Sequence, residues 1–155
     1  MRWPAKIPAG TTCSEPAMTI DVLPTLAKIT GAELPDHAID GKNILPLIAG
    51  EAGAKGPQEA YYFYWGNKLH AVRKDKWSLH LPHSYRSLKG EPGRGGIPGP
   101  YVQKTTALAL FDLHADIGQT KDVSADHPEV VKELQALADA HVRYLSANSR
   151  KPAQH

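Results

Sequence analysis

YYFYWGNKLHAVRKDKWSLHLPHSYR, from Tyr61 to Arg86, is the stretch on which the fold turns. It holds three short runs rich in aromatic and aliphatic residues, each bounded by turn formers. Such runs read as strands joined by tight connections. YYFYW (Tyr61 to Trp65) is the first, and Gly66-Asn67 turns the chain. KLHAVR (Lys68 to Arg73) is the second, with Lys74-Asp75 at the hairpin tip. KWSLHLP (Lys76 to Pro82) is the third: Trp77, Leu79 and Leu81 alternate with Ser78 and His80, giving one apolar and one polar face. ALALFDL (Ala107 to Leu113) reads as a fourth. No crossover helix fits between them, so the sheet is antiparallel.

The same reading places the flanking elements. Asp126, Pro128 and Glu129 form a capping-box-like start for a helix. Val130, Leu134, Leu137, His141 and Leu145 mark one face of about five turns, which should lie on the sheet. Upstream, Asp21 is a candidate N-cap with Pro24 in the first turn. Leu23, Leu26, Ala27 and Thr30 follow at helical spacing, and Gly31 stops the helix. Asp40-Gly41 is a turn signal before a short apolar patch, Ile44, Leu45, Leu47 and Ile48. The residues 83–106, rich in glycine and proline, read as a long loop, and loops of that length in compact domains are usually functional. The expected class is α+β: about four antiparallel strands with a packed C-terminal helix, preceded by a different segment. The expected boundaries are 1–55, 56–148 and a loose tail at 149–155.

Composition narrows the function. The 155 residues are 41% hydrophobic and 22% charged, with a net charge of +2 from 18 basic and 16 acidic side chains. This balance argues against a nucleic-acid partner, since no dense basic face exists. The cluster Arg73, Lys74, Lys76 is broken by Asp75. No run approaches the roughly 20 apolar residues of a helical membrane span, so no membrane partner is expected. Cys13 is the only cysteine, so no intrachain disulfide forms. No compartment is assigned.

Familiar catalytic signatures are missing: no Gly-x-Ser-x-Gly elbow, phosphate loop, dinucleotide fingerprint or His-Glu-x-x-His helix. No metal site is assigned to the eight histidines. His80 and His83 are three residues apart across a strand end broken by Pro82. His70 shares the polar face with His80 as a candidate pair for functional contact. His37, His114, His127, His141 and His155 read as loop, terminal or structural residues. Asp112, Asp116, Asp122 and Asp126 read as an acidic surface turn. Tyr61 to Trp65 reads as a buried strand in preference to a stacking platform for sugars or bases. LHLPHSYR, Leu79 to Arg86, packs histidine, serine, tyrosine and arginine together and reads as the wall of a site whose reactive groups lie elsewhere.

The order of several motifs resembles the type I sulfatases of the alkaline-phosphatase-like superfamily, nearest the arylsulfatase and N-acetylgalactosamine-6-sulfatase-like enzymes. Those motifs are Arg2-Trp3-Pro4, Lys6 to Gly10, Asp21-Val22-Leu23-Pro24-Thr25-Leu26 and Asp40 to Leu47. Tyr62-Phe63-Tyr64, Ala71-Val72-Arg73 and Lys76 to His80 follow, then ALFDLHADIGQTKDVSADHPEVVKEL. The match runs over residues 1–146. It departs at a turn, where the family has Pro-Gly-Glu for Ile117-Gly118-Gln119 and often Asn for Asp122.

The resemblance implies the end of an α/β catalytic domain over residues 1–55 and the C-terminal antiparallel subdomain after it. It implies sulfate-ester hydrolysis by the full-length enzyme, on a small-molecule sulfate ester or a sulfated glycan, with calcium and a formylglycine nucleophile. None of the nucleophile, calcium or catalytic positions maps onto this chain. Cys13 sits in Thr-Cys-Ser-Glu-Pro, not Cys-x-Pro-Ser-Arg. The expectation is a sulfatase fragment, with Met1 internal to a longer protein, inactive and poorly stable alone because Ile20, Leu23, Leu26, Ile44 and Leu47 lack cover. The family subdomain lies beside the catalytic cleft. His83, Tyr85 and Arg86 are therefore the candidate substrate-binding residues, with no catalytic or metal residue assigned. The alternatives are a free-standing carbohydrate- or protein-binding module, and a phospho- or phosphonate-ester hydrolase of the same superfamily.

Overall fold

The computed structural model describes residues 2–149. The chain packs as two units divided between Glu59 and Ala60.

In the first unit a 3-10 turn, Thr19–Asp21, leads into α1, Val22–Thr30, and a short α2 spans Leu45–Ala49. Asp21 holds the N-cap position of α1, yet its side chain makes no cap bond. Instead the buried carboxylate accepts from Met18 N at 3.0 Å, Lys42 N at 2.9 Å and Gln58 Nε2 at 3.0 Å. Thr25 Oγ1 donates to the Asp21 carbonyl at 2.6 Å and accepts from Ile44 N at 3.0 Å. These bonds draw residues 42–44 onto α1. That is why Ile44 and Leu47, expected to lack cover, are buried, whereas Ile20, Leu23 and Leu26 stay exposed. Gly41 serves a close approach: a Cβ there would lie 1.9 Å from the Ile20 carbonyl oxygen. Gly31 ends α1 in the left-handed conformation as expected, at φ 74°.

In the second unit β1 (Tyr61–Trp65), β2 (Lys68–Lys74), β3 (Trp77–His80) and β6 (Ala109–Asp112) form an antiparallel sheet in the order β1-β2-β3-β6. Val72 pairs with Leu79, and Leu79 with Leu110, so their side chains share one face. The helix α3, Pro128–Asn148, covers that face with Leu134 and Ala138, which are 1% and 2% exposed. The helix is longer than the sequence pattern indicates, and the capping box does not form: His127 is the N-cap, without a side-chain cap bond. His141 is structural, its ring stacked on Tyr62 at 3.6 Å.

The opposite face is not simply polar. Ser78 is buried there, because the turn after β6 folds back and its Gln119 Oε1 accepts from Ser78 Oγ at 3.2 Å. The aspartates of this turn serve backbone amides. Asp116 Oδ2 accepts from Thr120 N and Lys121 N. Asp122 Oδ1 accepts from Leu110 N and Ser124 N, which closes the outer edge of β6. An asparagine oxygen can fill the same role, so the family's Asn at this position and this chain's Asp122 are physically compatible.

The expected loop over 83–106 is mostly a second sheet. β4 (His83–Leu88) and β5 (Tyr101–Thr106) pair antiparallel from His83↔Thr106 to Leu88↔Tyr101. Only the residues between them form a loop, which needs glycine where a Cβ on Gly93 would lie 1.7 Å from the Ile97 oxygen. HSYRSL and YVQKTT lie largely exposed, so neither carries the apolar alternation that identifies a half-buried strand. Beyond residue 149 the expected tail lies outside the described residues.

Candidate functional site

Period-two alternation would send His70 to the core face with Val72. The register prevents this. Phe63 pairs with Ala71 and Tyr64 with Leu69, leaving His70 as the unpaired residue of a β-bulge. Leu69 and Val72 therefore both join the core. His70 is turned to the other side, where its ring stacks on His83 with centroids 4.0 Å apart. His80 lies 5.7 Å from His83 and packs edge-on against Phe111. The bulge thus brings three imidazoles into one row.

Hydrogen bonds set their tautomers. His83 Nδ1 lies 2.6 Å from the Leu81 carbonyl oxygen, which only accepts, so Nδ1 carries the hydrogen. The neutral ring then keeps its lone pair on Nε2. His80 Nε2 is 2.7 Å from Gln119 Oε1 and donates to it. Burial holds the His70 imidazolium below its ordinary pKa, helped by His83, Lys68 and His80. Burial also lowers His80, against the opposing hydrogen bond that it donates to Gln119 and with help from His83.

A sign follows for stability. Both groups titrate lower in the folded chain, so the unfolded chain binds more protons as pH falls below the ordinary histidine value of about 6.5. Stability is full above that pH and declines below it. We expect the Tm of the chain to drop between pH 7 and pH 5, and His70→Gln to flatten that slope. The lowered carboxylates Asp112, Asp116 and Asp122 titrate below this window. A Tm that stays level or rises from pH 7 to pH 5 contradicts the assignment.

Beside the histidine row lies a cleft of about 590 Å³ lined by Trp65, Lys68, His70, Ser84, Tyr85, Arg86 and Gln103. Of the expected wall residues, Tyr85 and Arg86 line it. His83 stands behind it, its ring against His70 and 6.0 Å from Tyr85. The Arg86 guanidinium lies over the Tyr101 ring, 4.3 Å from its centroid. Neither Lys68 nor Arg86 has an ion-pair partner among the described residues. No carboxylate lines the cleft. It therefore offers cationic and neutral hydrogen-bond donors with aromatic faces, a chemistry suited to an anion or a hydroxyl-rich ligand.

Sequence reasoning paired His70 with His80, and the structure brings both into the row with His83. Ser84 lies within the stretch expected to form the wall, whereas Trp65, Lys68 and Gln103 were not expected there. Trp65 was assigned to a buried strand, yet it is 76% exposed, because β1 is an edge strand and Trp65 ends it. The signals for it were the aromatic run Tyr61 to Trp65, set aside as a stacking platform in favour of a buried strand, and its place beside Gly66-Asn67. Among the described residues no group of three or more His, Cys, Asp or Glu is arranged to hold a metal ion. Cys13 is exposed in the first unit.

Comparison with known proteins agrees with this architecture. Residues 1–83 match the family described as "N-sulphoglucosamine sulphohydrolase, C-terminal". Residues 56–154 match "C-terminal region of aryl-sulfatase". Human arylsulfatase D is 33% identical over 93% of this chain and 27% of its own length. Mouse steryl-sulfatase is 33% identical over 91% and 25%, and human arylsulfatase A 30% over 98% and 31%. The chain thus spans about a quarter to a third of these relatives.

Solved structures share the fold. A Bacteroides thetaiotaomicron protein, solved in work on the metabolism of multiple glycosaminoglycans, superposes with a TM-score of 0.64 at 24% identity, over 92% of this chain and 28% of its own. A protein solved with its substrate D-glucosamine-2-N,6-O-disulfate gives 0.61 at 22% identity, over 99% and 29%. With two family descriptions that overlap across the strands β1 to β3 and together run the length of the chain, this protein belongs to the sulfatase family and corresponds to that family's C-terminal region.

Proposed function

We propose that this chain serves sulfate-ester hydrolysis by forming one wall of the substrate cleft, while the bond-breaking groups are supplied by other residues of the enzyme. The observation that carries this is the cleft itself, where Lys68 and Arg86 stand without a carboxylate partner beside Tyr85, Ser84 and Gln103. Cations left unpaired in a concave site favour an anionic ligand, and a guanidinium can meet a sulfate oxygen pair with two parallel hydrogen bonds. The stack on Tyr101 orients the Arg86 plane without neutralising it. His83 is placed to position His70 through ring contact rather than to touch the ligand.

The family's calcium and formylglycine do not fit the residues of this chain. Cys13 is exposed in Thr-Cys-Ser-Glu-Pro, and Asp112, Asp116 and Asp122 are occupied by backbone amides. The substrate, in this reading, is a small sulfate ester or a sulfated glycan, gripped by its charge.

In the enzyme that contains this region, Arg86→Ala should lower kcat/KM for sulfate esters by about 10- to 100-fold, the range for losing a charged hydrogen bond. Tyr85→Ala and His83→Ala should cost less. The assay needs several esters, 4-nitrophenyl sulfate and a sulfated monosaccharide among them. Unchanged kcat/KM across all of them for Arg86→Ala would end this reading.

A further inference from the structure

We propose that the β4–β5 ribbon is a flap hinged at Leu81-Pro82 and Ala107-Leu108, latched to the four-stranded sheet by the row of imidazoles and released when that row takes up protons. The proposal concerns the position of the ribbon and holds whatever ligand the cleft takes.

The packing shows how lightly the ribbon is attached. β4 and β5 pair with each other and with no strand of the other sheet. Leu81-Pro82 joins the ribbon to β3, and Ala107-Leu108 joins it to β6. Leu81 and Leu108 pack against the core and anchor these connections, whereas no residue of the ribbon itself belongs to the core or to the hydrophobic side chains packed on it. Leu81 N still donates to the His70 carbonyl at 2.9 Å, and Pro82, with no amide hydrogen, ends that pairing. Among the described residues, no ion pair or side-chain hydrogen bond ties β4 or β5 to the four-stranded sheet. The ring contacts between the two all run through His83, to His70 at 4.0 Å and to His80 at 5.7 Å. An element without an apolar seat is held by the few side chains that touch it, so these rings are the latch.

The latch is titratable, because histidine changes charge near neutral pH. The row is faced by Lys68 on β2, Phe111 on β6, Gln119 from the turn after β6 and Tyr85 on β4. None of these is a carboxylate, and the cleft that His70 lines adds Arg86. A proton on His70 or His80 therefore meets further rings and cations but no counter-charge. In the closed form the His83 ring covers His70, which disfavours charge there. Swinging the ribbon out removes that cover and lets water solvate the charge. The open form thus binds more protons than the closed one, so acid favours opening. The lowered pKa values of His70 and His80 in the closed form have the same sign. Closure is fully favoured above the ordinary histidine value of about 6.5 and is lost progressively below it.

His83 sits at the root of the ribbon, opposite Thr106, and Leu88 and Tyr101 pair at its far end. A small separation at the root therefore moves the far end through a larger arc. Ser84, Tyr85, Arg86 and Gln103 travel with the ribbon, while Trp65, Lys68 and His70 stay on the sheet, so opening widens the cleft.

The test is a distance measurement between paired spin labels by pulsed electron resonance in the 155-residue chain, with Cys13→Ser so that only introduced cysteines react. One pair is Lys89→Cys, just past the end of β4, with Gln135→Cys on α3, both exposed positions. The control pair is Asn67→Cys with Gln135→Cys, which lies wholly outside the ribbon. At about pH 7.5 the ribbon pair should give one narrow distance. At about pH 5 that distribution should shift and broaden by several ångströms and return on neutralisation, while the control distance holds. His70→Phe keeps a ring against His83 without the proton site, so its ribbon should stay closed at about pH 5. His83→Ala removes the latch, so its ribbon should be open already at about pH 7.5.

An unchanged ribbon distance in the parent at about pH 5 overturns the proposal. So does an equal shift in His70→Phe, which places the action of the proton elsewhere, or a His83→Ala chain that stays closed. A simultaneous shift of the control pair means that the whole unit loosens, and this overturns the proposal as well. The role of Arg86 in the cleft is read from kcat/KM and is untouched by any of these outcomes.

Discussion

Leu134→Ala lowers the unfolding free energy of the sheet-and-helix unit by about 3 kcal/mol, with a fall in Tm of roughly 10 to 20 °C. Leu134 is the α3 side chain most deeply set against Val72, Leu79 and Leu110, all of them fully enclosed. Removing its isopropyl group forfeits the transfer free energy of three carbons and leaves a hole. The neighbours cannot fill that hole, because the sheet is held by paired strands on both sides of Leu79. Denaturant unfolding of the parent and variant decides it, with Val142→Ala as the control. Val142 is 44% exposed on the same helix, so its truncation should stay within about 0.5 kcal/mol. A loss below about 1 kcal/mol for Leu134→Ala would mean that α3 is not seated as described.

Asp21→Ala is the counterpart in the first unit. The enclosed carboxylate is the acceptor for two backbone amides and one side-chain amide, contributed from three separate stretches: Met18, Lys42 and Gln58. Alanine leaves the Met18 and Lys42 amides without this acceptor, and Gln58 Nε2 with only its bond to the Asp40 carbonyl, around a fully buried position, which costs about 3 kcal/mol. The effect should be local in origin. Amide hydrogen exchange at Met18, Lys42 and Ile44 should accelerate by about a hundredfold, while the amides of β2 and β3 keep their protection. Asp21→Asn should fall between, since it retains an acceptor for Lys42 but turns an NH2 toward the Met18 amide. Unchanged exchange at Lys42 in Asp21→Ala would remove Asp21 from the centre of this unit.

Most of the sheet was legible beforehand because β1 to β3 and β6 carry aromatic and β-branched residues between turn formers. Alternation in KWSLHLP correctly placed Leu79 inside. The α3 pattern was also legible, since Val130, Leu134 and Leu137 repeat at helical spacing. The β4–β5 ribbon was not. Its residues face solvent on both sides, and a strand with no buried face leaves no hydrophobic period to detect. The N-terminal signals at Asp21 and at Asp126–Glu129 were read as caps from residue type alone. In the fold Asp21 is claimed by distant amides, and α3 begins at Pro128 without a box.

The cleft shows the same division. Tyr85 and Arg86 stood out because they are chemically conspicuous and close together. Trp65, Lys68 and Gln103 did not, since they are joined only by tertiary pairing.

The class of the fold, the antiparallel order of its first three strands and the helix that covers them follow from local residue type and short-range period, and the sulfatase resemblance from the order of several motifs along the chain. Which side chains meet is set by long-range pairing. A single unpaired residue in β2 reverses the direction of His70, and the β4–β5 pairing carries Gln103 to Arg86 across a glycine-rich loop. Whether a polar group faces solvent, core or cleft depends on register, and register is fixed by contacts between residues far apart in the chain.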